Sequence, residues 1–237
     1  MIMSATYPNF PEYKLKSVYK GETFFKRGAT RDHIFHEEFE EWQKFFCSGE
    51  YLPPAGKDIA LFHVCTWAKP YDFSYIGKKI REVTNKFERI HPIILSNAGV
   101  IPYEYQMNPA FCAYDWIQTE DISGEEALRL KKLYQDSLLN RIKNYLTSKQ
   151  QHYKAVVHYC MPIKDSIVTD IHDFCKTIDL PYFHTPGLET FRNSKGVLTN
   201  LKDLGEFYIL DPVLNDLENT LKKVSSIDRS VNRNTGL

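Results

Sequence analysis

The chain is 237 residues long, 43% hydrophobic and 14% aromatic, with 30 Lys plus Arg set against 30 Asp plus Glu. That length buries a core without disulfide or metal staples, and that composition excludes global disorder. Zero net charge excludes nucleic-acid binding driven by the overall field of the chain and leaves only local basic patches.

In chain order, residues 1–57 read as an N-terminal arm and an amphipathic helix packed on the body. Up to about residue 31 the sequence is rich in Tyr, Lys and Arg and has no sustained period. From Asp32 to Cys47, Phe35, Phe39, Trp42, Phe45 and Phe46 recur every three or four residues, the spacing of a helix with one docked face, and Pro53-Pro54 ends it. His33 and His36 lie three apart on it without a third ligand nearby, so they read as surface residues and no metal is expected.

Residues 58–224 read as one α/β domain. Ile59 to Val64 is apolar except at His63, as a strand buried on both faces of a parallel sheet would be. Ile76, Ile80, Val83 and Phe87 then form one helical stripe, with Ser74 at the N-cap position. Further apolar runs follow at Ile93–Leu95, Ala155–Val157 and Tyr182–Phe183. Val100 to Trp116, by contrast, has turn signals and no period and is expected to be a long loop.

The longest helix is expected from a capping box of Ser123 and Glu126, through Leu130, Tyr134, Leu138, Ile142 and Leu146. Two more are expected at Ile167–Ile178 and Pro212–Val224, and 225–237 reads as a flexible tail. Alternating strands and helices imply a three-layer α/β/α fold with a mainly parallel sheet of about four strands.

No apolar run is long enough to span a bilayer, and the opening MIMSATYPNF lacks the basic and apolar regions of a signal peptide, so a cytoplasmic protein without membrane partners is expected. Five cysteines with no C-x-x-C read as reduced thiols. Dinucleotide, phosphate-loop and serine-elbow fingerprints are missing, and no cofactor is expected.

In open parallel sheets ligands bind beyond the carboxyl ends of the strands. Here those ends carry Cys65-Thr66, Ser96-Asn97-Ala98-Gly99, His158-Tyr159-Cys160 and His184-Thr185. The first opens into CTWAKPYDFS, which gathers a thiol, an amine, a phenol and a hydroxyl near a helix start.

The block Cys65-x3-Lys69-Pro70-Tyr71-x2-Ser74 resembles the signature of archaeosine synthase, a relative of archaeal tRNA-guanine transglycosylase. Leu95 to Trp116 resembles that family's next block at Gly99, Pro102, Glu104, Pro109, Tyr114 and Asp115. The pair Glu125-Glu126, a long helix and YKAVVHY ending near His158 resemble the third. The likeness spans roughly residues 33–185 and departs at Val64, where the family has proline, and at Gly77, where it has histidine.

The strand order and the proline-tyrosine loop suit a uracil-DNA-glycosylase-like architecture, and the resemblance implies a transferase of tRNA modification, attaching free lysine to the nitrile of a 7-deazaguanine base in tRNA. It also implies a partner chain with transglycosylase-like or RNA-binding domains and a partner radical enzyme that completes archaeosine. On this reading Cys65 is the catalytic nucleophile, and Lys69 lowers its pKa or binds a substrate anion. Tyr71, Ser74, Ser96 and Asn97 hydrogen-bond the base or nitrile, Glu104 and Asp115 hold the cationic amine, and Pro70, Gly99, Pro102, Tyr114 and His158 complete the substrate-binding set. The alternatives are a non-catalytic tRNA- or partner-binding subunit of the same assembly, a glycosylase-like enzyme recognising unusual bases, and an interaction protein using its aromatic N-terminal helix.

Overall fold

The computed structural model describes residues 26–27, 31–66, 68–112, 114–115, 124–162, 167–198 and 204–227. Most of the expected N-terminal arm, the Ser123 cap and most of the expected tail lie outside the described residues.

A short strand β1 (Lys26–Arg27) precedes α1 (Arg31–Ile34) and α2 (Glu37–Cys47). The single helix implied from Asp32 is therefore two. His36 takes a non-helical backbone conformation and caps α2, its Nδ1 accepting the Glu38 N–H at 3.3 Å. The aromatic stripe of α2 is core, with Phe39, Trp42 and Phe46 all buried.

β2 (Ile59–Val64) has the bounds its apolar run implies, and α3 (Tyr75–Thr84) follows with Ser74 as its cap. Then come β3 (Ile90–Ser96), β4 (Gly99–Pro102), α4 (Pro109–Cys112) and β5 (Tyr114–Asp115). The chain continues through α5 (Gly124–Ser148), β6 (Ala155–Tyr159), α6 (Val168–Thr177) and β7 (Tyr182–Thr185), and then α7 (Leu188–Leu198) and α8 (Asp211–Ser225).

The sheet runs β4-β3-β2-β6-β7, parallel throughout except for β4, which pairs antiparallel with β3. The mainly parallel sheet expected from the sequence, of about four strands, has five. The extra one lies inside the segment read as a loop, because four residues bounded by Gly99 and Pro102 are too few to show a period. β1 and β5 form a separate two-residue parallel pair.

One layer packs α2, α5 and α6 on Ala60, Phe62, Ile93 and Val156. The other packs α3, α8 and the 3-10 turn Leu204–Ile209 on Ile59, Leu61, Ala155 and Val157. Residues two apart on β2 share a layer, as strand alternation requires. The result is a three-layer α/β/α fold, with the carboxyl ends of β2, β3, β6 and β7 on one rim.

Candidate active site

Cys65 follows directly on β2, and its N–H donates to the Leu95 carbonyl at 3.1 Å, which ties it to the end of β3. The thiol is partly buried against the layer of α2 and α5. Burial pushes its pKa up, and the Lys69 ammonium works against that rise. Lys69 also opposes the rise at Cys112, which burial pushes up to about 11.

The Lys69 ammonium sits 4.5 Å from the centre of the Tyr114 ring and 5.9 Å from that of Tyr71, a cation held over two aromatic faces. The two phenols share a 2.5 Å hydrogen bond, and Ser96, fully buried at the end of β3, hydrogen-bonds to both. Burial holds both phenols well above their ordinary pKa, so they stay neutral donors. Cys65, Lys69, Tyr71, Ser96 and Tyr114 therefore meet, although they come from three separate stretches of chain. Pro70 stands between Lys69 and Tyr71, and the Lys69–Pro70 peptide bond is cis.

Asn97 follows Ser96 at the end of β3. Its carbonyl accepts from Arg141 at 3.3 Å, while its buried Nδ2 has no hydrogen-bond partner. His158 lies further along the rim on β6, buried, with Nδ1 2.9 Å from the Tyr182 hydroxyl. Burial, then the charge of His184, push its pKa down to about 3, which keeps the ring neutral.

The remaining expected residues do other work. The Ser74 hydroxyl accepts the Gly77 N–H at 2.8 Å and donates to the Tyr71 carbonyl at 2.7 Å, so it is spent on starting α3. Gly99 has φ +103, and the Gln43 side chain lies 2.6 Å from where a Cβ would stand. The Gln43 amide donates to the Ala98 and Val100 carbonyls and accepts the Val100 N–H, which pins the β3–β4 hairpin, and Pro102 closes β4 opposite Ile93.

Glu104 is not at the rim. It accepts from the Tyr51 hydroxyl at 2.9 Å and pairs with His91 at 3.0 Å, and His91 in turn reaches the Tyr153 hydroxyl at 2.6 Å. His91 is the second residue of β3 and Ser96 the last. That spacing puts Glu104 toward the other end of the strand, roughly 16 Å away at about 3.3 Å per residue. Asp115 follows Tyr114 in β5, and its side chain lies outside the described residues.

At the two departures from the family pattern, Val64 ends β2 and Gly77 admits no side chain. A Cβ at 77 would stand 2.1 Å from the Tyr71 carbonyl oxygen. His63 lines a small cavity with Gly77 and Tyr71, and burial pushes its pKa down to about 4.

Three residues escaped the sequence reading as site candidates. Tyr134 on α5, one position in a helical stripe, is partly buried within electrostatic reach of Cys65. Cys160 and His184, noted only as strand ends, approach to 3.5 Å.

A family model described as a domain of unknown function, DUF5591, matches residues 41–178. The chain belongs to the DUF5591 family. Its match runs from within α2 to the end of α6, and so includes every residue of the Cys65 cluster but excludes His184. A crystal structure of AF0587, described as a protein of unknown function, is 16% identical with a TM-score of 0.46 and covers 78% of this chain. The chain spans 49% of that protein's length. No curated protein matches. Among the described residues of this DUF5591 chain, no helix is long and apolar enough to cross a membrane.

Proposed function

We propose that this chain is the lysine-transferring member of an archaeosine-forming assembly, joining free lysine to the nitrile carbon of a 7-deazaguanine base in tRNA. The supporting observation is the meeting of Cys65, Lys69, Tyr71, Ser96 and Tyr114 at the rim where α/β sheets bind ligands. These residues fall in two of the blocks that carry the family resemblance.

The Cys65 Sγ adds to the nitrile carbon and its proton passes to the nitrile nitrogen, giving a thioimidate. Lysine's amine then adds to the same carbon, the C–S bond breaks, and the thiol leaves with the surplus proton, giving an amidine. No oxidant or reductant is needed. A nitrile accepts a nucleophile when its nitrogen is hydrogen-bonded or protonated, and Lys69, the neutral phenols and the unpaired Asn97 amide are the donors at hand. Glu104 has no part in this scheme, being committed to His91 and Tyr51. RNA binding and completion of archaeosine fall to partner chains, the second a radical enzyme.

The test mixes full-length chain, lysine and tRNA bearing the nitrile base, with mass spectrometry of the nucleosides. The lysine adduct is expected with wild type, with yield down more than about a hundredfold in Cys65→Ser. An undiminished yield in Cys65→Ser would remove the covalent step.

Gly77 favours a second reading, a binding-only subunit of the same assembly, because the backbone there leaves no room for the histidine of the family pattern. Tight binding of the nitrile-bearing tRNA with no adduct under any partner combination would select it.

A further inference from the structure

We infer that Cys160 and His184 form a second nucleophile–base pair on the same rim, built to attack an electrophilic nitrile or carbonyl carbon. The Cys160 Sγ lies 3.5 Å from the His184 Nε2. That is hydrogen-bond reach for sulfur, and a thiol within reach of an imidazole gives a nucleophile its base.

The strand register produces this contact. His158 is opposite His184 and Tyr159 opposite Thr185, and the Cys160 N–H continues the ladder onto the Thr185 carbonyl at 3.0 Å. Cys160 is therefore fixed at the tip of β6 beside the tip of β7, and both side chains are only partly buried. The Asp216 carboxylate on α8 accepts the Gly187 N–H at 2.7 Å and favours the charged form of His184. A hydrogen bond to the Cys160 backbone acts in the same direction.

Thr185, the next residue of β7, is fully buried and its hydroxyl has no hydrogen-bond partner, but strand alternation turns it to the face opposite His184, so the pair rests on the Cys160–His184 contact itself.

In the attack, the Sγ–C bond forms while the thiol proton moves to Nε2. With a nitrile the proton then passes to nitrogen, leaving a thioimidate on Cys160; electrons and atoms balance without a further reactant. The inference stands apart from the lysine-transfer reading, because it concerns the reactivity of a different thiol.

The titratable groups within electrostatic reach of the pair are Asp216 from α8, His158 from β6, Tyr182 from β7 and Tyr208 from the turn at 204–209. Burial pushes the Cys160 pKa up to about 12 and, as the first cause, lowers that of His184. An unassisted thiol of that kind would react about tenfold faster per pH unit across the neutral range, following its thiolate fraction. A thiol with a neutral imidazole taking its proton reacts at a nearly constant rate above the imidazole pKa.

The experiment is alkylation of the folded full-length chain by iodoacetamide from about pH 6.5 to 9, read at each cysteine by peptide mass spectrometry. A flat profile at Cys160 is expected, turning steep in His184→Gln with a loss of about tenfold or more at the low-pH end. The Cys65 profile is expected to be unchanged by that substitution. A wild-type Cys160 profile already climbing about tenfold per unit would overturn the inference without any variant. An unaltered profile in a His184→Gln chain with wild-type circular dichroism would do the same.

Discussion

The two ends of β3 hold polar clusters of similar make-up in opposite states. At the His91 end, Glu104, His91, Tyr51, Tyr153 and Tyr145 close a buried network in which the carboxylate, the imidazole and all three phenols have partners. At the Ser96 end, a partly buried thiol lies beside a cation over aromatic rings, and the Nδ2 of Asn97, the next residue after Ser96, has no partner. A satisfied network rigidifies the fold, whereas unspent donors around a reactive atom wait for a ligand. The lesson is that residue type does not distinguish the two; hydrogen-bond accounting does.

The comparison is broken most forcefully at Glu104. Replacing it with Ala strands His91 and the Tyr51 hydroxyl inside the core, and a loss of about 3 kcal/mol or more is expected in urea unfolding. A change below about 1 kcal/mol would mean that the His91 end is no more committed to stability than the rim.

Gly77→Ala comes next. The added Cβ meets a carbonyl oxygen rather than a flexible side-chain end, so the turn before α3 must move, with a cost of about 2 kcal/mol or more in the same assay. Wild-type stability would show that a side chain fits there after all and would weaken the binding-only reading.

Acid sharpens the contrast further. Burial pushes the Glu104 carboxyl up, but the His91 charge and the hydrogen bonds from His91, its own backbone and Tyr51 outweigh that and hold it below the usual carboxylate range. A depressed folded pKa contributes stability above the unfolded value, about 4.3, and loses it as pH falls through the folded one. Wild type is therefore expected to lose stability more steeply than Glu104→Gln below about pH 4.3. Parallel curves would assign the acid sensitivity elsewhere.

Ser74→Ala removes the cap of α3 and is expected to cost about 1 kcal/mol. Cys65→Ser is expected to change stability by less than about 1 kcal/mol while affecting chemistry most. A large stability loss there would move Cys65 from the reactive end into the structural one.

Much of the scaffold was legible in the chain. The run Ile59–Val64, the Ser74 cap and the stripes of α2, α5, α6 and α8 announce themselves, because burial on one side imposes a period and a helix start needs a side-chain acceptor. Elements that announce themselves poorly are short or locally satisfied. β4 has four residues, the α1–α2 break depends on the backbone angles of His36, and α7 does not stand out by period.

The site was half legible. The CTWAKPY stretch marks Cys65, Lys69 and Tyr71 as neighbours, and strand-end logic brings Ser96 beside them. Nothing in the linear order separates Glu104 from Tyr114, two polar residues of one aperiodic segment. That separation depends on β4 running back antiparallel along β3, which carries Glu104 toward the far end before the chain returns with Tyr114.

The amino-acid order alone determined the layered α/β class, the main strands and helices, and which thiol stands beside an amine, because burial period and covalent adjacency are local. Only the tertiary structure decided which polar side chains are spent and which are left over. A hydrogen bond such as Gln43 to the β3–β4 hairpin, or Cys160 to His184, joins residues far apart in sequence and exists only once the sheet has set their register.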